Sequence, residues 1–133
     1  KFDDQESLIY GLRTVDYNKK VYVTEGPIDS LFLPNSIAVA GSDFSKLKSI
    51  VPTEQAVVVF DNERRNPQLH KLMSQVIEDG FEICFWPKTI KEKDINDMVL
   101  NGLSSSIVED IINKNKFSGL SAKMALSDWS RSG

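Results

Sequence analysis

Carboxylates in this chain recur directly after apolar runs, and that placement points to metal-assisted chemistry. The run "VYVT" ends at Thr24 and is followed by Glu25 and Gly26, with a second acid at Asp29. The run "AVVVF" is followed by Asp61 and Glu63, and "WPKTIKEKDIND" places Asp94 and Asp97 with Asn96 between them. Ligands of open parallel sheets bind beyond the carboxyl ends of the strands. Three such ends delivering acid to one edge would therefore bring Glu25, Asp61, Glu63 and Asp94 together. Carboxylates held close repel one another unless a cation neutralises them. An all-oxygen donor set suits Mg²⁺ or Mn²⁺, and metals so held serve phosphoryl or nucleotidyl transfer. Asp61 and Glu63, two residues apart, share a face of an extended turn. Arg64 and Arg65 follow at once and suit phosphate.

Each residue also has a plainer use. Acids at strand-to-helix junctions cap helices and favour the positive end of the helix dipole. Glu25 alone fits either use, Asp94 fits a cap for "INDMVL", and a paired Arg64-Arg65 is often simply solvated. The joint pattern carries the expectation: three strand ends, one edge, all acidic.

The elements that must position these acids alternate along the chain. Strands are predicted over 21–24, 36–40, 56–60 and 81–86, and "AVVVF", apolar throughout, fits a strand covered on both faces. Between them, "PIDSLFL" reads as a short helix opening on proline. "SDFSKLKSI" has Ser42 or Asp43 as a cap and Phe44, Leu47 and Ile50 on one side. "NPQLHKLMSQVIEDG" is the clearest helix, with Asn66 as cap, Pro67 first, and Gly80 as its stop. "KEKDINDMVLNG" and "SSSIVEDIINKNK" read as two more helices. From Ser118 on the pattern is weak, with one or two amphipathic turns in "AKMALSDW". Such alternation predicts one α/β domain with a roughly four-stranded, mainly parallel sheet and helices on both faces.

Composition bounds the function. The 133 residues are enough for one domain with a sizeable core. With a single cysteine, Cys84, and a single histidine, His70, neither an internal disulfide nor a Cys/His zinc site is available. That balance suits a reducing, cytoplasmic setting. No apolar stretch has the length of a membrane span, and no signal-peptide pattern opens the chain. The net charge of −3 argues against a surface that grips nucleic acid by charge alone, although basic clusters occur at Lys88-Lys91-Lys93 and elsewhere. The chain starts on Lys1 rather than Met, which leads us to expect a piece of a longer protein.

Four signatures together resemble the Toprim domain of primases, topoisomerases, nucleases and recombination proteins. "EGPIDSL" looks like the primase form of its first motif, in which an acid (here Asp29) follows four residues after the glutamate. "FDNERRN" is similar to its Asp-x-acid element. "KDIND" matches the last motif, with Asp94 and Asn96 at the ligand-side positions. With "NSIAVAG" added, the pattern is most like the catalytic domain of primases from T-even-type tailed phages. The resemblance covers roughly residues 21–103. It departs where many Toprim domains have aspartate instead of Glu63 with a glycine soon after, and an acid instead of Asn96.

The resemblance implies a Toprim, Rossmann-like fold over 1–117, a C-terminal helical tail over 118–133, and a longer parent primase. It implies synthesis of short RNA primers from ribonucleoside triphosphates on a single-stranded DNA template. Glu25 would be general acid/base or metal ligand, and Asp61, Glu63 and Asp94 would hold Mg²⁺ or Mn²⁺. Gly26, Asp29 and Asn96 would support the site, Gly26 by letting the chain turn away while substrate approaches. Arg64, Arg65, Lys88, Lys91 and Lys93 would contact nucleotide or template. The parent would also carry a zinc module and engage a replicative helicase, in host cytoplasm if phage-encoded, without membrane. The isolated fragment would be weak or inactive. A Toprim nuclease shares the acids, and a receiver-like Mg²⁺ module is a non-enzymatic alternative, although Glu-Gly-Pro replaces the acid pair that receivers need. Elsewhere, His70 is expected at the surface, Cys84 and Trp86 in the core, and Trp129 docked on the body or on a helicase.

Overall fold

A computed structural model of the chain describes residues 9–10, 15–16 and 18–131. Residues 1–8, 11–14 and 17 of the expected catalytic domain and the last two of the expected tail lie outside them.

Strand β1 spans Ile9–Tyr10, β2 Val21–Thr24, β3 Ser36–Val39, β4 Ala56–Val59, β5 Glu82–Cys84 and β6 Lys116–Phe117. They form one sheet in the order β1-β3-β2-β4-β5-β6. The four central strands run parallel, and the two-residue edge strands pair antiparallel at either side. The central four are the strands that the sequence predicts, β2 with the same bounds and the others trimmed by one or two residues at one or both ends. The edge strands were not foreseen, because two residues are too few for any alternation to show.

Strand β4 explains why "AVVV" is apolar throughout. Ala56 and Val58 point into one core with Val21, Val23, Ile37 and Ile83. Val57 and Val59 point into a second core with Tyr22, Cys84 and Trp86. Both faces are covered, so neither register position tolerates a polar side chain.

Helix α1 spans Pro27–Ser30, α2 Pro67–Glu78, α3 Ile95–Leu100, α4 Ser105–Lys114 and α5 Gly119–Arg131. The first core takes Leu69, Met73, Val76 and Ile77 from α2, and Ala122 and Trp129 from α5. The second takes Leu33 after α1, Ile95 and Met98 from α3, and Val108 and Ile112 from α4. Asn66 caps α2 as predicted, its Oδ1 accepting from the amides of Gln68 and Leu69 at 3.0 and 3.3 Å.

Two segments differ from the sequence reading. "SDFSKLKSI" lies in a 3-10 segment, Gly41–Ser49, rather than an α-helix. Its serines and aspartate favour local side-chain-to-backbone hydrogen bonds over an α-helix interior. On a three-residue turn, Phe44 and Leu47 eclipse and both reach the core. The tail is not one or two turns but the thirteen-residue α5. Ala122 and Trp129, two helical turns apart, give it the buried stripe that holds it to the first face.

This topology fixes where a ligand would sit. Strands β2, β4 and β5 are neighbours, and the chain leaves β2 through α1 toward β3 but leaves β4 through α2 toward β5. The connections diverge to opposite faces, which opens a crevice at the carboxyl ends of β2 and β4.

Candidate functional site

The crevice is lined by Glu25, Gly26, Pro27, Ile28, Asp29, Asp61, Asp94 and Asn96, around a cavity of about 280 Å³. Each acid arrives by a different route. Glu25 follows β2 directly, where the Thr24 hydroxyl donates to the Gly26 carbonyl at 3.0 Å and tightens the exit. Asp29 is carried back to the same edge by α1. Asp61 stands two residues past the end of β4. Asp94 caps α3, its Oδ1 accepting from the Asp97 amide at 2.9 Å. The Asn96 amide donates to Asp29 Oδ1 at 3.1 Å, joining α3 to α1 across the crevice.

Asp29, Asp61 and Asp94 each offer a carboxylate oxygen, and the three oxygens lie within 4.8 Å of one another. An octahedral Mg²⁺ with bonds of about 2.1 Å separates opposite ligands by about 4.2 Å, so this spacing is close to what one ion needs. The electrostatics agree. Burial, reinforced by the charges of Asp29, Asp94 and Glu25, pushes the Asp61 carboxyl up to about 7. Burial also raises Asp29, against the lowering effect of the Asn96 amide. Both carboxyls of this pair are thus raised above the ordinary aspartate range. The donor set is all carboxylate oxygen, with excess negative charge, and it fits a hard divalent cation.

Glu25 is half-buried, and its carboxyl is raised by burial and then by the charge of Glu63. Glu63 stands beside the cluster rather than in it. Its carboxylate pairs with Lys93 at 3.3 Å and accepts from Asn66 Nδ2 at 3.2 Å. That contact, with the nearby charge of Asp61, raises the Lys93 ammonium. Gly26 adopts φ −123°, ψ 144°, an extended geometry open to any residue. The turn after β2 does not depend on the freedom of glycine, contrary to the sequence reading. A Cβ there would meet nothing within 4 Å, so what Gly26 provides is open space over the crevice.

The basic residues separate. Arg65, Lys88, Lys91 and Lys93 are exposed, and Lys88 lines a groove beside Trp129 rather than the acidic crevice. Arg64 has a structural post. It donates to the carbonyls of Trp86 and Pro87 at 2.9 and 3.1 Å and sits 5.5 Å from the centre of the Trp129 ring. Trp86 is buried and donates its indole N–H to the Phe60 carbonyl at 2.9 Å, so its face is closed to bases. Cys84 is fully buried, and burial drives its thiol pKa up, away from thiolate chemistry. His70 is half-buried, with Nε2 2.7 Å from the Arg64 carbonyl oxygen.

Sequence reasoning under-read Asp29, giving it a supporting part although its oxygen belongs to the three-carboxylate cluster. The signal was available: a residue one helical turn after Glu25 returns to the same edge. It passed over Asn62 altogether.

No family model matches the chain. The chain is 38% identical over 125 residues to the DNA primase of Enterobacteria phage T4, a match that covers 92% of this chain and 36% of that protein. It thus spans about a third of the length of the relative it matches.

Proposed function

We propose that this primase-related domain is the Toprim catalytic domain of a phage-type DNA primase, making short RNA primers on single-stranded DNA. The observation that supports the reading best is the meeting of Asp29, Asp61 and Asp94 within 4.8 Å at one sheet edge, in a chain related to a primase over nearly its whole length.

In this reading Asp29, Asp61 and Asp94 hold Mg²⁺ or Mn²⁺, with Glu25 as a further ligand or as the acid/base group. The ion neutralises the carboxylates and supplies charge stabilisation for the attacking and leaving oxygens. Glu25 has a carboxyl raised by burial, which moves it toward the range where a carboxylate accepts a proton efficiently near neutrality. As the acid/base group it would take the proton of the attacking ribose hydroxyl. Glu63, held by Lys93 and Asn66, orders the loop after β4 beside Glu25. The exposed Arg65, Lys88, Lys91 and Lys93 meet nucleotide phosphate or template, whereas Arg64 takes no part in binding. Ribonucleoside triphosphates and template are the partners of this domain. A replicative helicase and a zinc module belong to the longer parent.

A chimera tests the reading: this chain replaces its matched segment in the T4 primase. Primer synthesis from ribonucleotides by the folded chimera, abolished by Asp61→Asn and Glu25→Gln, is the expected result. A folded chimera that makes no primers sinks the proposal. Shortening of the DNA instead would put a Toprim nuclease in its place.

A further inference from the structure

Asp61 lies two residues beyond the end of β4, so the sheet itself places it. Asp94 lies ten residues beyond the end of β5, too far for the sheet to fix its position. Something else must hold the connection from 85 to 94 against the loop after β4.

Asn62, between Asp61 and Glu63, makes that connection. Its Nδ2 donates to the carbonyls of Ile90 and Glu92, both at 3.1 Å. Its backbone N–H donates to the Lys93 carbonyl, immediately before Asp94. Three bonds from one residue thus seize the end of the long connection at the point where the acid leaves it. The remaining polar atom of the side chain, Oδ1, accepts from the Trp129 indole N–H of α5 at 3.3 Å. An amide side chain alone supplies two donors and an acceptor in one plane, so no other residue type of this size reproduces the set.

We infer that Asn62 is a positioning residue that sets the separation of Asp61 from Asp94, and that Trp129 locks it in place. This inference rests on the reading of the acidic crevice as a metal centre. Asn62 touches no reacting atom. Its effect reaches the site through the backbone on either side, and α5 thereby becomes mechanically linked to an edge of the sheet that it does not line.

Two variants of the chain test it. Asn62→Ala removes the side-chain bonds, and Trp129→Phe removes the indole N–H with its fused ring while keeping a smaller aromatic ring in the core. The first measurement is metal-free: amide hydrogen exchange at Asn96 and Asp97, whose N–H groups bond Asp29 and Asp94. The second is Mn²⁺ binding followed by paramagnetic broadening, with Asp61→Asn as control. Asn62→Ala is expected to speed exchange at Asn96 and Asp97 by about tenfold, the equivalent of a hydrogen bond lost, while amides of β2 and α2 stay protected. Its Mn²⁺ dissociation constant rises by a similar factor. Trp129→Phe moves both in the same direction by a smaller factor, and it carries the test alone if Asn62→Ala does not fold. Unchanged exchange at the two amides overturns the inference, as does acceleration spread evenly over the sheet, which would mark general destabilisation. If the parent chain and the Asp61→Asn control both fail to bind Mn²⁺, the metal reading falls instead, and the exchange pattern still decides the role of Asn62.

Discussion

At the level of single residues, Asp61 shows what the acidic crevice costs the fold. Its carboxyl, raised to about 7 by burial and neighbouring acids, binds its proton more tightly folded than unfolded, where aspartate titrates near 3.9. The stabilisation linked to that proton is complete below about pH 4 and is lost as pH climbs through about 7. In metal-free buffer the Tm is therefore expected to fall between pH 5 and 8. The loss is of the order of 1 kcal/mol once solvent screening at this half-open site is allowed for, or a few degrees. Asp61→Asn should flatten the decline; a variant with the parent's slope would show that the repulsion resides elsewhere. Gly26 offers a second residue-scale test. Its extended backbone and the open space above it predict that Gly26→Ala keeps the parent stability within about 0.5 kcal/mol or slightly raises it. Binding of a Mn²⁺–nucleotide complex, followed by calorimetry, is expected to weaken several-fold because the methyl occupies the crevice. Equal affinity would show that ligand does not approach there. The acids themselves were legible in sequence because strand ends have a definite edge. The work of Asn62 was not, because its side-chain partners lie 28 and 30 residues away and no local pattern records them.

Among the elements, α2 joins stability to the site through one side chain. Asn66 caps the helix with Oδ1 and steadies Glu63 with Nδ2. Asn66→Ala removes both and is expected to cost about 1 kcal/mol in urea denaturation. Asn66→Asp retains the cap but replaces the donor with a carboxylate facing Glu63. It should keep most of the helix stability while the added negative charge beside Glu63 raises the Lys93 ammonium further. If the two variants are equally destabilised, the cap contributes nothing and the Glu63 contact carries the loss. Helix α2 was readable to its cap because asparagine, proline and a 3.6-residue apolar period agree. The 3-10 segment was misread because Phe44, Leu47 and Ile50 repeat every third residue, which suits a three-residue turn as well as an α-helix. Helix α5 was cut short because its buried stripe is sparse: Ala122 and Trp129 are buried, while Leu120 and Met124 stay exposed.

For the molecule as a whole, fold and site pull against each other. Two cores clamp the parallel strands from either side, and the resulting rigidity keeps Asp29, Asp61 and Asp94 within 4.8 Å although the chain already carries a net charge of −3. A domain of this size has a stability of about 5–15 kcal/mol, so relief of that repulsion is a measurable share. A cation that binds only the folded chain stabilises it by RT ln(1 + [L]/Kd), about 2.7 kcal/mol at a hundredfold excess over Kd. At pH 8, where Asp61 is ionised, saturating Mn²⁺ is expected to raise the Tm by several degrees. Asp61→Asn is expected to start from a higher metal-free Tm, since it removes a repelling charge, and to gain little from Mn²⁺. That crossing of the two melting curves cannot come from cations condensing loosely on surface acids, because loss of one charge in nineteen acidic residues would barely alter such a response. Equal Mn²⁺ shifts in parent and variant would mean that the crevice does not gather its carboxylates around an ion. A rise confined to the parent would tie the stability of the two cores to the chemistry at their shared edge.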